Sequence, residues 1–301
     1  MVVLGINVCN DVHYIQTKTN KSISIQVPGI QLRNIVQNPY TALRRSTFSE
    51  SISLDQDLIS IIKDHNTHMF LQNPAGQNVF LYLTKYVKDF AENHFSRDIS
   101  QIYILDWGCG KGHVTYLLRK LGAKPISCDL KCDKDDSSFG QAVPIIRKQG
   151  IRVEPIEHEY LLPYGDASMD IVLSFGVLEH VASDKMSLKE IHRVLRDRGL
   201  FFCFNLPYIF SWTQFLCRLR GDHYHDRLYD KKTVDKMLRV AGFDLIDIWH
   251  RQLFPKNTIR YPKYKLFERM DLFFTEYTPL RYFATNIEFV AVKVIKRSDN
   301  V

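Results

Sequence analysis

A glycine-rich turn at residues 106–112 carries the sharpest chemical signal in this sequence of 301 residues. It follows a short apolar run that we predict to be a strand, and it reads Asp106-Trp-Gly-Cys-Gly-Lys-Gly112. Gly108, Gly110 and Gly112 let the backbone turn tightly and approach a ligand closely, where a Cβ would collide. The free N–H groups of the helix that follows favour a carboxylate. The turn is therefore predicted to bind a small ligand at the carboxyl end of a strand.

A second acidic position, Asp129, ends the next predicted strand, 17 residues after Gly112. Its carboxylate could accept hydrogen bonds from both ribose hydroxyls of an adenosine. A nicotinamide dinucleotide site shares these features, but its third glycine would fall at His113. Asp106 adds negative charge beside the turn, which repels a pyrophosphate and attracts an amino group or a sulfonium. The charges favour a sulfonium cofactor and leave a dinucleotide site as the alternative.

Histidines and a tyrosine further along the chain are the candidates for acid–base chemistry. His180 follows the fourth predicted strand, and a neutral imidazole can remove a hydroxyl proton near pH 7. A packing role under the loop is an equal alternative for His180. His225 and Tyr229 lie in a polar segment, 221–229, and are further catalytic candidates. Because His223 and His225 alone do not complete a ligand set, no metal site is predicted.

Alternating strands and helices must position these residues. The patterns predict strands at 102–105, 125–128, 153–156, 170–174, 200–204, 244–249 and 289–295. They predict helices at 113–121, at 185–196 with Gly199 as its end, and at 231–240 before Gly242. Such alternation is typical of an α/β, doubly wound, mostly parallel seven-stranded sheet. Residues 1–98 are predicted to form an N-terminal extension that helps cap the cofactor site, with a strand at 22–27 and helices at 54–63 and 76–95.

Residues 102–205 resemble the class I methyltransferases, particularly the type 11 group that includes the ubiquinone-biosynthesis-type enzymes. The resemblance is carried by three segments, which are Ile104-Leu-Asp-Trp-Gly-Cys-Gly-Lys-Gly112, Leu162-Pro-Tyr-Gly-Asp-Ala-Ser-Met-Asp170, and Val177-Leu-Glu-His-Val181 running on to Arg193-Val-Leu-Arg-Asp-Arg-Gly199. It implies a Rossmann-like methyltransferase domain over 99–301 and S-adenosylmethionine as the cofactor.

The resemblance also implies roles for individual residues. Asp106 and the glycines would lie along the methionine part of the cofactor, and Asp129 would bind the ribose. The family's acidic contact to the adenine amino group falls at Glu157 or His158, and Glu157 is the expected contact. The segment after the fifth strand covers the active site in related enzymes, which implies a lid at 207–230.

Two apolar stripes lie in residues 207–301, which carry +6 of the net charge of +7. One stripe runs from Trp212 to Leu219, and the other lies in an aromatic helix predicted at 263–278. Core packing is one interpretation of each stripe. The alternative is a helix in a membrane interface, or a groove for a lipid tail, with basic residues near anionic head groups. The positive excess is too modest to favour nucleic acid.

Several classes of protein are not favoured by composition. No stretch approaches about 18 uninterrupted apolar residues, and the first residues lack the basic region of a secretory signal. A cytoplasmic location, peripheral to the membrane at most, is therefore expected. Six cysteines without a C-x-x-C pair predict neither disulfides nor a zinc site, and Cys109 and Cys203 are expected to be buried thiols.

The predicted function is S-adenosylmethionine-dependent methylation, at an oxygen of a small or lipid-linked acceptor of sugar, quinone or phenol type. Two alternatives stay open: a dinucleotide-dependent oxidoreductase, and a non-catalytic protein of the same fold that binds a cofactor or a partner.

Overall fold

Seven strands form one sheet in the order β3-β2-β1-β4-β5-β7-β6 in the computed structural model. The strands are β1 (Ile104–Trp107), β2 (Ile126–Leu130), β3 (Val153–Ile156), β4 (Met169–Phe175), β5 (Leu195–Pro207), β6 (Phe243–Arg251) and β7 (Asn286–Lys293). The first five run parallel, whereas β7 is antiparallel to both of its neighbours. The predicted fold class is confirmed.

The structure describes residues 38–50, 74–131, 143–221, 225, 227–255 and 263–294. The predicted strand at 22–27 and helix at 54–63 lie outside these residues. The described helices are α1 (Pro39–Ser49), α2 (Pro74–Phe95), α3 (His113–Lys120), α4 (Pro144–Lys148), α5 (Asp184–Val194), α6 (Trp212–Leu219), α7 (Lys231–Ala241) and α8 (Tyr264–Tyr277). All described residues belong to one compact unit that begins at Asn38.

Helices cover both faces of the sheet, as a doubly wound fold requires. On one face, α2 buries an apolar stripe that includes Leu83, Val87 and Phe90, which have no exposed surface. The Phe90 ring meets Phe202 of β5 edge-on, with ring centroids 5.3 Å apart. On the other face, α5 and α7 bury Leu188, Ile191, Val234 and Leu238. Because both faces are covered, β4 and β5 are apolar along most of their length.

The predicted helix end at Gly199 is wrong. The helix α5 stops at Val194, and β5 begins at Leu195, whose backbone is extended and whose side chain is fully buried. Gly199 instead lies in a tight turn inside this strand, where a Cβ would stand 2.7 Å from the Arg196 carbonyl oxygen. Glycine at this position therefore reflects a close backbone approach within the strand and not a helix cap.

The insertion after β5 is closed at its base by backbone contacts. Tyr208 and Tyr229 form an isolated parallel bridge, in which the Tyr229 N–H donates to the Pro207 carbonyl and the Ile209 N–H to the Tyr229 carbonyl. The helix α6 lies within this insertion and begins at the cap Ser211, whose hydroxyl accepts the Gln214 N–H. The base of the insertion is thus fixed to the carboxyl end of β5, the edge of the sheet where ligands of such folds bind.

Candidate active site

The glycine turn lies between β1 and α3, and all three glycines have positive φ angles. A Cβ on Gly108 would stand 2.7 Å from a methyl of Val177, and one on Gly112 would stand 2.7 Å from Ile146. At both positions glycine is required by packing as well as by φ.

Gly110 differs from the other two glycines because its missing Cβ faces open space. Its φ is +51°, and no heavy atom lies within 4 Å of the position that a Cβ would take. The Gly110 N–H donates to the Asp129 carboxylate over 2.6 Å. The turn is therefore a cradle with a free side, which a Cβ would partly fill, next to a carboxylate at the end of the neighbouring strand. A ligand with a ribose fits this arrangement.

Asp129 lies at the carboxyl end of β2, as predicted. Besides the bond from Gly110, its second oxygen accepts the Leu130 N–H over 2.8 Å. Partial burial raises the pKa of the Asp129 carboxyl, while these two N–H groups act in the opposite direction. Each carboxylate oxygen keeps a second lone pair, so ribose hydroxyls could still donate to it. The predicted ribose contact stays a prediction.

Asp106 lies beneath the turn and not on its open side. Its side chain is 1% exposed, and it accepts a 2.6 Å hydrogen bond from Thr115 of α3, whose hydroxyl also lies 2.7 Å from that of Ser127. Burial, aided by the charge of Asp129, raises the pKa of Asp106 to about 7. The carboxyl joins β1 to α3 and does not carry a full negative charge at neutral pH. Direct contact with the methionine part of a cofactor stays a prediction.

Glu157 directly follows β3 and is well exposed. Its nearest charged partner is the ammonium group of Lys131, 3.4 Å away. The neighbouring His158 stacks on Tyr160, with parallel rings 5.0 Å apart. Glu157 is thus at the edge of the sheet next to β2, and its contact to an adenine stays a prediction.

The turn after β4 places Glu179 and His180 beside the glycine turn. Val177, which contacts the Gly108 position, also accepts the backbone N–H of His180 over 2.9 Å. The His180 side chain is 58% exposed, whereas that of Glu179 is 3% exposed. His180 therefore borders the open part of the site, and Glu179 lies behind it.

The insertion brings His225 to this pair. The His225 and His180 ring centroids are 5.3 Å apart, and a Glu179 oxygen lies 3.8 Å from His180 Nε2. One oxygen or nitrogen atom from each of the three residues lies within 4.8 Å of the others. We call these residues the acid–histidine cluster. A group of this composition can share a proton and could also hold a metal ion.

Glu179 is a candidate site residue that the sequence alone did not single out. Its Oε2 is buried and has no hydrogen-bond partner among the described residues. Burial raises the pKa of Glu179 to about 7. A buried carboxyl whose pKa is raised to about 7 is a typical acid–base candidate. The sequence did contain a signal for Glu179: it is an acid that follows a predicted strand, at the same edge of the sheet as the glycine turn.

Tyr229, a further catalytic candidate, lies beneath the insertion and does not face solvent. Its side chain is buried, being 2% exposed, because the bridge to Tyr208 draws it under the insertion. Its hydroxyl donates to the Leu178 carbonyl over 3.4 Å, and burial raises its pKa. The residue therefore supports the turn that carries Glu179, and its role as a catalytic residue stays a prediction. His223 lies outside the described residues.

The predicted buried thiols, Cys109 and Cys203, are confirmed, and Cys128 is a third. Cys109, Cys128 and Cys203 are free and buried. Burial raises the pKa of each thiol, so none is a nucleophile near neutral pH.

A mostly parallel seven-stranded sheet with a glycine cradle after β1 and an acid after β2 is the arrangement of a Rossmann-like methyltransferase. Comparison with known proteins agrees. Residues 105–203 match the type 11 family model described as "Methyltransferase domain". These residues, about a third of the chain, are similar to the type 11 group, and the chain is an S-adenosylmethionine-dependent methyltransferase.

Relatives of known function are found among bacterial enzymes. The chain is 26% identical over 179 residues to a ubiquinone biosynthesis O-methyltransferase of Rhizobium etli, covering 54% of this chain and 70% of the relative. It is 27% identical over 178 residues to the enzyme of the same name from Rhizobium rhizogenes, with the same coverage. The dinucleotide alternative receives no support from these matches.

A solved structure shows the same fold. It is a protein of Galdieria sulphuraria assigned as a sarcosine dimethylglycine methyltransferase, with a TM-score of 0.52 and 14% identity. The alignment covers 79% of this chain and 97% of that protein. At this identity the likeness speaks for the fold alone.

Proposed function

We propose that the chain methylates an oxygen of a small phenol- or quinol-type acceptor, and that the acid–histidine cluster takes the hydroxyl proton. The observation that carries this proposal is the buried, unpaired carboxyl of Glu179, 3.8 Å from the exposed His180. The relatives in Rhizobium, which are named as O-methyltransferases, support the choice of oxygen.

S-Adenosylmethionine supplies a methyl group on a positively charged sulfur, which leaves as a neutral thioether. Gly110 and Asp129 would hold its adenosine part, with Glu157 as a further contact at the adenine. The remaining task of the protein is to bring an acceptor oxygen into line and to take up its proton.

The cluster is suited to that second task. His180 borders the open part of the site and can accept the acceptor's proton, while Glu179 behind it stabilises the imidazolium that forms. His225 approaches His180 from the insertion, with the two ring centroids 5.3 Å apart. In this scheme His180 is the base, and Glu179 and His225 are positioning residues.

The test compares His180→Ala with His94→Ala, a control histidine at the end of α2 outside the site. Tritium transfer from methyl-labelled S-adenosylmethionine to a catechol would be measured with and without added Mg²⁺, because the cluster could also hold a metal. We expect His180→Ala to lower kcat by about 100-fold or more, with unchanged affinity for S-adenosylhomocysteine. An unchanged kcat would exclude His180 as the base.

We further propose that the acceptor is lipid-linked and that the enzyme meets it at an anionic membrane surface. Core packing was the other interpretation of the two apolar stripes, but many of their apolar side chains are exposed. The helix α6 has no buried residue, and Phe215 and Leu219 are 62% and 68% exposed. On α8, Phe273 and Tyr277 are 54% and 61% exposed.

Both helices are attached to the segment after β6. The Trp212 indole donates to the Leu253 carbonyl over 2.8 Å, and Asp271 of α8 accepts the N–H groups of Leu253 and Phe254. Exposed basic residues flank the aromatic ones, including Arg218, Arg220, Lys265 and Arg269. Aromatic and basic side chains together are typical of a surface that lies in the head-group region.

No helix among the described residues is long and apolar enough to span a bilayer. Flotation with vesicles that contain or lack phosphatidylglycerol tests surface binding. We expect flotation only with the anionic lipid, and its loss in a Phe215→Ser/Leu219→Ser double variant. Val240→Ser, on an equally exposed apolar residue of α7, is the matched control. The proposal would be contradicted if the double variant floated with the anionic vesicles as well as Val240→Ser does.

A further inference from the structure

A cavity of about 430 Å³ opens near the carboxyl end of β6. Its walls come from the end of α1, from α2, from the last residues of β6 and from α8, and they include no residue of the glycine turn or the acid–histidine cluster. The volume lies within the range of small-molecule sites.

Two buried polar side chains reach this cavity with atoms that lack a hydrogen bond. Asn78 is 1% exposed and Arg251 is 8% exposed, and neither Asn78 Oδ1 nor Arg251 Nη1 has a partner among the described residues. Buried polar atoms of this kind cost free energy unless a ligand or water pairs with them. These two side chains therefore offer the cavity one acceptor, from the amide, and one charged donor.

The guanidinium of Arg251 is only loosely held inside the protein. Its nearest carboxylate is that of Glu288, 3.9 Å away, which is beyond hydrogen-bond distance. Glu288 itself accepts from the Trp249 indole over 2.9 Å and from the Asn205 backbone. Arg251 thus keeps hydrogen-bonding capacity for a ligand.

Each acid that lines the cavity has a partner within the described residues. Glu50 pairs with Lys85, Glu268 accepts from the Asn78 amide, Asp271 accepts two backbone N–H groups, and Glu276 pairs with Arg44 and Arg45. By contrast, Lys265 and Arg269 line the cavity without an ion-pair partner within the described part of the chain. Together with Arg251, these two cations supply the positive charge with which an anion would pair.

Its remaining surface is largely aromatic. Phe48 and Trp249 lie 6.5 Å apart in an edge-on pair, and Tyr82 and Phe273 complete the walls. The Arg251 guanidinium lies 4.9 Å from the centroid of the Phe48 ring. Such walls favour a flat apolar body over a sugar or a free phosphate.

We propose that this cavity binds an organic anion with a flat, apolar body. Its acidic group pairs with Arg251, its ring lies against Phe48 and Trp249, and a hydroxyl or amine donates to Asn78. The site is separate from the acid–histidine cluster and does not depend on the identity of the methyl acceptor.

The first test is a fluorescence titration with 6-hydroxy-2-naphthoate and with its neutral analogue, 6-hydroxy-2-naphthalenemethanol. We expect the acid to bind about tenfold or more tightly than the alcohol, as a charge-assisted pair requires. Arg251→Gln should remove this preference and leave the binding of the alcohol nearly unchanged. Arg239→Gln, at an exposed arginine of α7, is the control and should change neither affinity. Equal binding of acid and alcohol, no binding, or a preference that survives Arg251→Gln would overturn the proposal.

A second test uses crystallography of the wild-type chain, so it does not depend on whether the Arg251→Gln variant folds. Crystals of the wild-type chain grown with 6-bromo-2-naphthoate should show an anomalous bromine peak within this cavity. A peak confined to the protein surface, or to the glycine turn, would refute the proposed site.

Asn78→Asp adds a negative charge to the cavity wall and should weaken binding of the acid more than binding of the alcohol. Equal weakening of the two ligands would also count against the proposal.

Discussion

Replacement of Glu179 by glutamine should make the protein more stable at alkaline pH. Burial raises the pKa of this carboxyl from 4.5 to about 7. A carboxyl whose pKa is higher in the folded than in the unfolded state supports folding while it is protonated. That contribution is complete below pH 4.5 and is lost as pH rises through 7.

The size of the effect follows from the shift. Each pKa unit corresponds to about 1.4 kcal/mol, so ionising Glu179 in the folded protein costs up to about 3 kcal/mol. Glutamine keeps the size of the side chain but cannot ionise. The free energy of unfolding of Glu179→Gln, minus that of the wild type, should therefore rise by up to about 3 kcal/mol between pH 4.5 and pH 8.5.

Urea unfolding of the two proteins between pH 4.5 and 8.5 measures this difference. Asp106, whose pKa is also raised to about 7, is present in both proteins. Its contribution to the pH dependence of unfolding therefore cancels when the two are compared. Glu154→Gln, at a carboxylate that meets Arg152 near the surface, is the matched control and should follow the wild type. If the stability of Glu179→Gln and that of the wild type changed in parallel with pH, the buried, unpaired state of Glu179 would be refuted.

Three further predictions concern the cofactor cradle and the core. Gly110→Ala should lower the affinity for S-adenosylhomocysteine by about tenfold or more, because its Cβ enters the open side of the cradle. The same change should cost only about 1 kcal/mol of folding stability, and a calorimetric titration with wild-type affinity would contradict the prediction. Asp129→Ala should weaken the same binding by about 1–3 kcal/mol, and unchanged affinity would remove the ribose assignment. Arg44→Met should cost about 3–5 kcal/mol in urea unfolding, because it leaves the buried carboxylates of Asp247 and Glu276 without their shared partner. A loss below about 1 kcal/mol would show that this ion-pair network contributes little.

Local patterns explain why much of the sheet and the cradle could be predicted. A glycine turn after an apolar strand, followed by an acid at the end of the next strand, involves only residues that are near in sequence. Strand β3 was predicted with its observed bounds, and Gly242 ends α7 with φ +88° as expected. These features depend on backbone conformation and on apolar periodicity, both of which are legible in the sequence.

Features set by distant contacts could not be predicted. The end of α5 was misplaced because Leu195 pairs with Met169 across the sheet, and no local signal shows that pairing. The position of Asp106 beneath its turn depends on Thr115, and the burial of Tyr229 depends on the bridge to Tyr208. Tertiary context decided the outcome at each of these positions.

The most direct test of the proposed chemistry is the location of the transferred methyl group. The chain would be supplied with methyl-¹³C S-adenosylmethionine and a catechol, and the product would be identified by NMR. We predict that the label is found on a catechol oxygen and that a Glu179→Gln/His180→Ala double variant forms far less of this product. Label on a carbon or a nitrogen atom, or an undiminished yield from the double variant, would contradict oxygen methylation by the acid–histidine cluster.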